Sequence, residues 1–386
     1  MKQRLLAAFN QHFGDHQEVI ISQAPGRVNL IGEHTDYNHG LVLPITLDQA
    51  IYFALRKRND QTCHLHSLNF QSSVTFELNH LQRDSSSHWA DYVKGVLQIL
   101  QNSGYSLQGI EGVIYGDIPI GAGLSSSAAL EIATINALQY LFKLPLAPLT
   151  MIKLAQRAEN EFVGMKCGIM DQFVSLLGKK AHALFIDCRD LTSEDVPFNL
   201  TQHTLLIVNS KIKHELVNSA YNERRQQCEA AVQYFHNLDP TITSLREVGP
   251  DLFAQFGNAL PPILRQRCRH VIFENARVLQ AVVCLKQNDM QQLGQLFYAS
   301  HESLQHDYAV SCPEIDAIVE IARKNGALGA RITGGGFGGC AIVLVNKKDA
   351  ANLQNVLSLE YQAAFNRSLQ IIALTKNKVS RIDTVI

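Results

Sequence analysis

Pro119-Ile120-Gly121-Ala122-Gly123-Leu124-Ser125-Ser126-Ser127-Ala128-Ala129 is the stretch on which the reading of this chain turns. The apolar run Gly112–Tyr115 before it reads as a short strand, and Leu130–Phe142 after it reads as a helix. Serines at such a junction are helix-capping residues. The first backbone N–H groups of a helix have no partner within it and point at whatever precedes them. Gly121 and Gly123 let backbone approach an anion without a side chain in the way. The helix dipole adds partial positive charge at the same place. Together these features make a phosphate cradle. No lysine follows the glycines, so this is not a Walker A loop, and the spacing is not G-x-G-x-x-G. A plain capped turn has the same composition, so the flanking segments decide.

Working outward, Leu5–Phe13 reads as an amphipathic helix, and Val19–Ser22 as a strand feeding a loop at Ala24-Pro25-Gly26-Arg27. Leu41–Leu43 and Ala50–Leu55 are strand candidates. Cys63–Leu68 and Ser73–Leu78 alternate like a hairpin. Trp89–Leu100 and Leu149–Val163 have helical spacing. A second half begins near Thr201, with a strand at Leu205–Val208 and helices at Glu215–Phe235, Cys268–Gln287, Asp289–Ser303 and Glu314–Asn325. A strand, turn and strand follow at Ala330–Thr333 and Cys340–Val345. This mixture predicts an α+β fold of two domains, residues 1–195 and 196–386, with mixed sheets, packed helices and the active site in the cleft between them.

Composition bounds the rest. The 386 residues are 46% hydrophobic and 18% charged, with 34 Lys+Arg against 35 Asp+Glu and a formal net charge of −1. That excludes a disordered chain and leaves no broad basic surface for nucleic acid. No run approaches the ~20 apolar residues of a membrane span, and the N-terminus lacks the apolar core of a signal peptide. The eight cysteines are scattered, with no C-x-x-C pair. They read as reduced thiols of a cytoplasmic protein.

Two further segments carry chemistry. Pro25-Gly26-Arg27-Val28-Asn29-Leu30-Ile31-Gly32-Glu33-His34-Thr35-Asp36-Tyr37-Asn38 packs an arginine, two carboxylates and a histidine beside apolar residues. Buried carboxylates need hydrogen-bond donors, which sugar hydroxyls supply. A polar surface loop, or a metal pair of His34 with His39, are the alternatives. Ala158-Glu159-Asn160-Glu161-Phe162-Val163-Gly164-Met165-Lys166-Cys167-Gly168-Ile169-Met170-Asp171-Gln172-Phe173 places Glu159 before a turn and Asp171 after it. Both can face one cavity, and a nucleotide-bound Mg²⁺ needs only one or two protein oxygens. Glu161 reads as a solvated helix face. A late run, Arg331-Ile332-Thr333-Gly334-Gly335-Gly336-Phe337-Gly338-Gly339-Cys340, suits backbone packed on backbone or ligand.

In order along the chain, PGRVNLIGEHTDYN, PIGAGLSSSAAL, CGIMDQF and RITGGGFGGC resemble the motifs of the GHMP kinase superfamily, and within it the galactokinase family. The resemblance spans residues 24 to 340. It implies an enzyme of galactose catabolism that phosphorylates the anomeric hydroxyl of α-D-galactose with ATP, with Mg²⁺ as cofactor. It implies Asp171 as catalytic base and Arg27 as transition-state stabiliser. Glu33, His34, Thr35, Asp36, Gly168 and Tyr221 would hold the sugar. Gly121, Ala122, Gly123, Leu124, Ser125, Ser126 and Ser127 would hold ATP phosphates, with Ser67 and Trp89 toward the adenine. Ser127 and Glu159 would hold Mg²⁺. The expected state is a monomer without nucleic-acid, membrane or obligate protein partner. An N-acetylgalactosamine kinase and a non-catalytic galactose sensor are the rival readings.

Overall fold

The computed structural model describes residues 1–14, 18–212, 217–375 and 377–384. The first of three sheets has six strands, in the order Arg381–Thr384, Ile20–Asn29, Pro44–Lys57, Ile110–Gly116, Thr62–Ser67, Ser72–Glu77. Its pairings are antiparallel except that Thr62–Ser67 runs parallel to Ile110–Gly116. A four-stranded antiparallel sheet orders Gly329–Thr333, Cys340–Asn346, His203–Asn209, Gln370–Ala373. A small third sheet joins Leu41–Val42, His182–Asp187 and Thr192–Pro197.

The apolar runs explain these placements. In Cys340–Asn346, six consecutive residues from Cys340 to Val345 are buried, as expected of an interior strand covered on both faces. The edge strand Ser72–Glu77 alternates half-buried and exposed positions instead. Helix Ser126–Phe142 is buried on every side from Ala128 to Leu138, the pattern of a helix inside a core. It packs on strands Ile20–Asn29 and Pro44–Lys57 and on helices His88–Asn102 and Met170–Leu177. That anchors the Gly/Ser-rich turn that precedes it. The last strand returns to the first sheet, with Ile20 opposite Thr384 and Gln23 opposite Arg381. One apolar cluster includes Leu30, Ala133, Leu205, Phe297 and Ile342, so residues from both halves share a core.

Several local readings change. Ala24–Arg27 is not a loop. The strand runs unbroken from Ile20 to Asn29, all ten residues are buried, and its register with the neighbouring strand shifts between Pro25 and Arg27. Such a bulge re-aims the side chain that follows. The helix read at Leu149–Val163 is an α-helix at Pro148–Arg157 that widens into a π-helical turn at Ala158–Val163, a form frequent at functional sites. The helix expected from Glu215 is Val217–Leu238, with residue 215 outside the described residues. The hairpin of His182–Asp187 and Thr192–Pro197 carried no clear strand signal, because its second strand, TSEDVP, is mostly polar. Among the described residues, no helix is long and apolar enough to cross a membrane.

Candidate active site

A cavity of about 360 Å³ is lined by the Gly/Ser-rich turn, the loop after strand Ile20–Asn29, the segment before helix Met170–Leu177 and the late glycine run. At its centre Arg27, placed just past the bulge, meets Asp171 in the first turn of its helix. Arg27 donates from Nε to Asp171 Oδ1 at 2.7 Å and from Nη2 to Oδ2 at 2.8 Å. Its Nη1 donates to the Gly123 carbonyl at 2.7 Å. Burial works against the guanidinium charge, but Asp171 outweighs it and the Arg27 pKa is raised. Ser125 Oγ donates to Asp171 Oδ2 at 2.5 Å. Asp171 Oδ1 therefore keeps a lone pair for a further donor.

The phosphate turn is built on left-handed backbone, with φ of 69° at Gly121, 73° at Gly123 and 58° at Ser125. Ser125 occupies the N-cap position but makes no capping hydrogen bond. Its hydroxyl serves Asp171, so the capping expected of the serines does not occur there. The helix's first N–H groups lack that side-chain acceptor, as an anion site requires. The late glycine run packs against the turn from the other side. A Cβ on Gly334 would lie 3.1 Å from the Gly123 carbonyl oxygen, and one on Gly339 would lie 3.2 Å from that of Ala122.

The other end of the cavity holds Glu33, His34, Asp36, Gly168 and Tyr221. Glu33 pairs with Arg331 Nη2 and accepts from Thr333 Oγ1 at 3.2 Å and the Gly334 N–H at 3.1 Å. Burial still raises its pKa against that pairing. Asp36 accepts from the Tyr37 N–H at 3.0 Å. Burial, then the charge of Asp171, raises its pKa to about 6. A Cβ at position 168 would sit 1.7 Å from Asp36 Oδ2, so any residue larger than glycine would displace that carboxylate. Tyr221 packs its ring 5.4 Å from both His34 and Tyr37.

Beside Asp171 lies an acidic nest. Gln172 Nε2 donates to Glu159 at 2.7 Å and to Glu131 at 2.9 Å. Burial and the Asp171 charge push Glu159 up to about 7, with Ser127 among its hydrogen-bond partners. Burial, then Glu159, raises Glu131 well above the usual carboxylate range. Among the described residues neither carboxylate has a basic partner, and Glu131 Oε1 and Gln172 Oε1 are buried without any. Carboxylates that burial leaves reluctant to ionise without a cation, with an all-oxygen donor set at Ser127 and Glu159, fit a hard divalent cation.

Not every expected residue faces the cavity. Thr35 donates its hydroxyl to the carbonyls of Gly32 and Leu41, at 2.8 and 2.6 Å. Leu124 is buried, and its carbonyl accepts from the Arg27 N–H at 3.2 Å. Ser126 opens the helix. Ser67 and Trp89 sit by the Thr62–Glu77 hairpin, where Trp89 Nε1 donates to Ser72 Oγ at 3.0 Å. None of these five lines the cavity. Glu161 is exposed and pairs with Arg157 at 2.7 Å, as a solvated face should. His39 is exposed whereas His34 is buried. The sequence reading missed Glu131 and Gln172. Their signal is polarity inside apolar helices, in ALEIATINAL and MDQFVSLL.

Three family models match: GHMP kinases N terminal domain at residues 91–179, the galactokinase galactose-binding signature at 7–57, and GHMP kinases C terminal at 281–363. A curated galactokinase of Roseiflexus sp. is 43% identical over 364 residues, 94% of this chain and 92% of that one. One from Chloroflexus aurantiacus is 45% identical over 342 residues, 88% of this chain and 87% of its own. The crystal structure of Lactococcus lactis galactokinase complexed with galactose is 34% identical, with a TM-score of 0.94 over 98% of this chain and 99% of that one. Methanococcus jannaschii mevalonate kinase, at 20% identity, 95% and 99% coverage and a TM-score of 0.65, shares the fold.

Proposed function

The chain belongs to the galactokinase family of GHMP kinases, and from that premise we propose how its own residues transfer the γ-phosphoryl group of ATP to the anomeric hydroxyl of galactose, giving galactose 1-phosphate and ADP. The observation that carries this reading is the position of Asp171. Arg27 and Ser125 hold it between the phosphate turn and the carboxylate of Asp36.

Asp171 Oδ1 takes the proton of the anomeric hydroxyl as the oxygen attacks phosphorus, and ADP leaves with the P–O bond electrons. Arg27 joins the base to the turn through Gly123, so one guanidinium fixes both the base and the loop that faces the phosphates. Phosphoryl transfer has a loose transition state, so positioning and charge stabilisation supply most of the rate. The free N–H groups of helix Ser126–Phe142 receive phosphate oxygens. Mg²⁺ held by Ser127 and Glu159 would neutralise charge on those oxygens. Ser67 and Trp89 are assigned to the adenine end. Glu33, His34, Asp36, the Gly168 backbone and Tyr221 hold the sugar. The proposal extends to a monomer that acts in the cytoplasm, where the eight free cysteines would stay reduced.

An epimer that leaves Asp36 without a donor strands a buried charge, so glucose is expected to be poorer by up to ~10⁴-fold. ADP release with galactose, talose, glucose and N-acetylgalactosamine in parallel, with and without Mg²⁺, tests the reading. Equal rates on glucose and galactose would contradict it, and preference for N-acetylgalactosamine would move the chain to another sugar kinase.

A further inference from the structure

A chain of three hydrogen bonds runs from the cavity into the second half of the molecule. His34 Nδ1 lies 2.7 Å from Tyr37 Oη, which lies 2.8 Å from Tyr308 Oη, which lies 3.1 Å from Cys228 Sγ. Tyr308 and Cys228 are 0% and 1% exposed. The His34 ring lines the cavity beside the Gly335 backbone, and its other nitrogen, Nε2, is buried with no partner at full hydrogen-bond geometry among the described residues. Burial, with His270 and Arg224 nearby, pushes the His34 pKa down to about 3. The ring is thus neutral, with one nitrogen donating and the other accepting.

Heavy-atom positions allow two proton orders, and acceptor strength separates them. In one, Cys228 donates to Tyr308, Tyr308 to Tyr37, and Tyr37 to His34 Nδ1, so the chain ends on an imidazole lone pair. In the other, His34 donates outward and the chain ends on a thiol sulfur, a weak acceptor. The first order places the strongest acceptor at its end. We propose that Tyr37 and Tyr308 are positioning residues that hold His34 in the Nε2–H tautomer, so that it offers a donor to a sugar hydroxyl.

The proposal rests on the sugar-binding reading of this cavity and extends it. Ionised Glu33 and Asp36 only accept hydrogen bonds, whereas a hydroxyl has one donor and two acceptor sites. A wall of carboxylates leaves those acceptor sites unanswered, and His34 Nε2–H answers one. With the other tautomer, a hydroxyl that already donates to a carboxylate would turn a lone pair toward the bare Nε2. The rings also pack, with centroids 4.7 Å apart for His34 and Tyr308 and 5.8 Å for His34 and Tyr37. A phenylalanine at 37 or 308 keeps that packing and deletes only the hydroxyl.

The test is imidazole ¹⁵N NMR on the ligand-free enzyme, with the His34 signals assigned by their loss in His34→Gln, alongside steady-state kinetics. Wild type should show a protonated Nε2 and a bare Nδ1. Tyr37→Phe should shift His34 toward the Nδ1–H form and raise KM for galactose about 3- to 10-fold, with KM for ATP unmoved. Tyr308→Phe should do the same more weakly. A bare Nε2 in wild type overturns the proposal, and that spectrum decides even if the variants do not fold. A Tyr37→Phe enzyme with unchanged tautomer and unchanged galactose KM overturns it as well. If wild type forms no ADP with galactose, the sugar kinase reading fails, while the wild-type spectrum still reports the direction of the relay.

Discussion

Two buried arginine–carboxylate pairs flank one cavity and are treated differently. In Arg27–Asp171 the carboxylate is 23% exposed and keeps a lone pair toward the cavity. In Arg331–Glu33 the side chains are 0% and 1% exposed. Arg331 also donates to the Leu30 carbonyl at 2.8 Å, while Glu33 collects Thr333 and Gly334. The first pair leaves its acid available for chemistry. The second pins the sugar loop to strand Gly329–Thr333 of the other half. The same pair of charges, partly open in one place and sealed in the other, thus serves reaction in the first and assembly in the second.

The comparison can be broken most forcefully at Arg331. Arg331→Met leaves Glu33 and Glu274 buried with a cation removed. It should cost about 3–5 kcal/mol of stability, read as a shift in denaturant midpoint. A loss below ~1 kcal/mol would show that this pair does not hold the halves together. Arg27→Lys should act on rate instead. A lysine cannot reproduce the three-armed contact to Asp171 and Gly123, so kcat should fall roughly 10²–10³-fold while the unfolding midpoint moves little. The reverse pattern in these two variants would exchange the roles assigned to the pairs.

Asp36 sharpens the contrast, because among the described residues it forms no ion pair of its own and feels Arg27 only at a distance. Its folded pKa of about 6 lies above the ordinary 3.8, owing to burial and then Asp171. The folded state therefore holds more protons than the unfolded state between those values. Asp36 contributes a loss of stability as pH rises through about 4 to 6. Asp36→Asn should be more stable than wild type at pH 8, by about 1–2 kcal/mol, and no more stable at pH 3.5. In wild type, KM for galactose should rise as pH falls below about 6, when the protonated acid no longer only accepts. A flat KM from pH 5 to 8 would remove Asp36 from sugar recognition. Glu161→Ala, which breaks only the exposed pair with Arg157, should stay within ~0.5 kcal/mol of wild type and keep its activity.

Much of this was legible in the sequence, for physical reasons. PIGAGLSSSAA needs glycine and small residues where backbone turns left-handed, and that requirement is written in residue types. Glu33 and Asp36 stood out because their loop also carries Val28, Leu30 and Ile31, and Glu159 and Asp171 because they flank one turn. What escaped depends on partners distant in sequence. Ser125 looked like a helix cap but bonds Asp171, 46 residues on. Arg331 looked like the start of a glycine motif, and its partner Glu33 is 298 residues away. Thr35 carries a hydroxyl suited to a sugar, yet two backbone carbonyls within six residues already hold it. The Ala24–Arg27 segment read as a loop because Pro and Gly punctuate it, whereas pairing with strand Pro44–Lys57, Ala24 opposite Ile51 and Arg27 opposite Thr46, keeps it a strand.

The central claim is that Asp171 is present for proton transfer rather than for holding the sugar. Galactose titration calorimetry and galactose-dependent ADP release on one preparation of Asp171→Asn test it directly. The account predicts sugar affinity within about threefold of wild type and turnover lower by about 10³-fold or more. Undiminished turnover would take Asp171 out of the mechanism, and loss of sugar binding would make it a structural residue of the cavity.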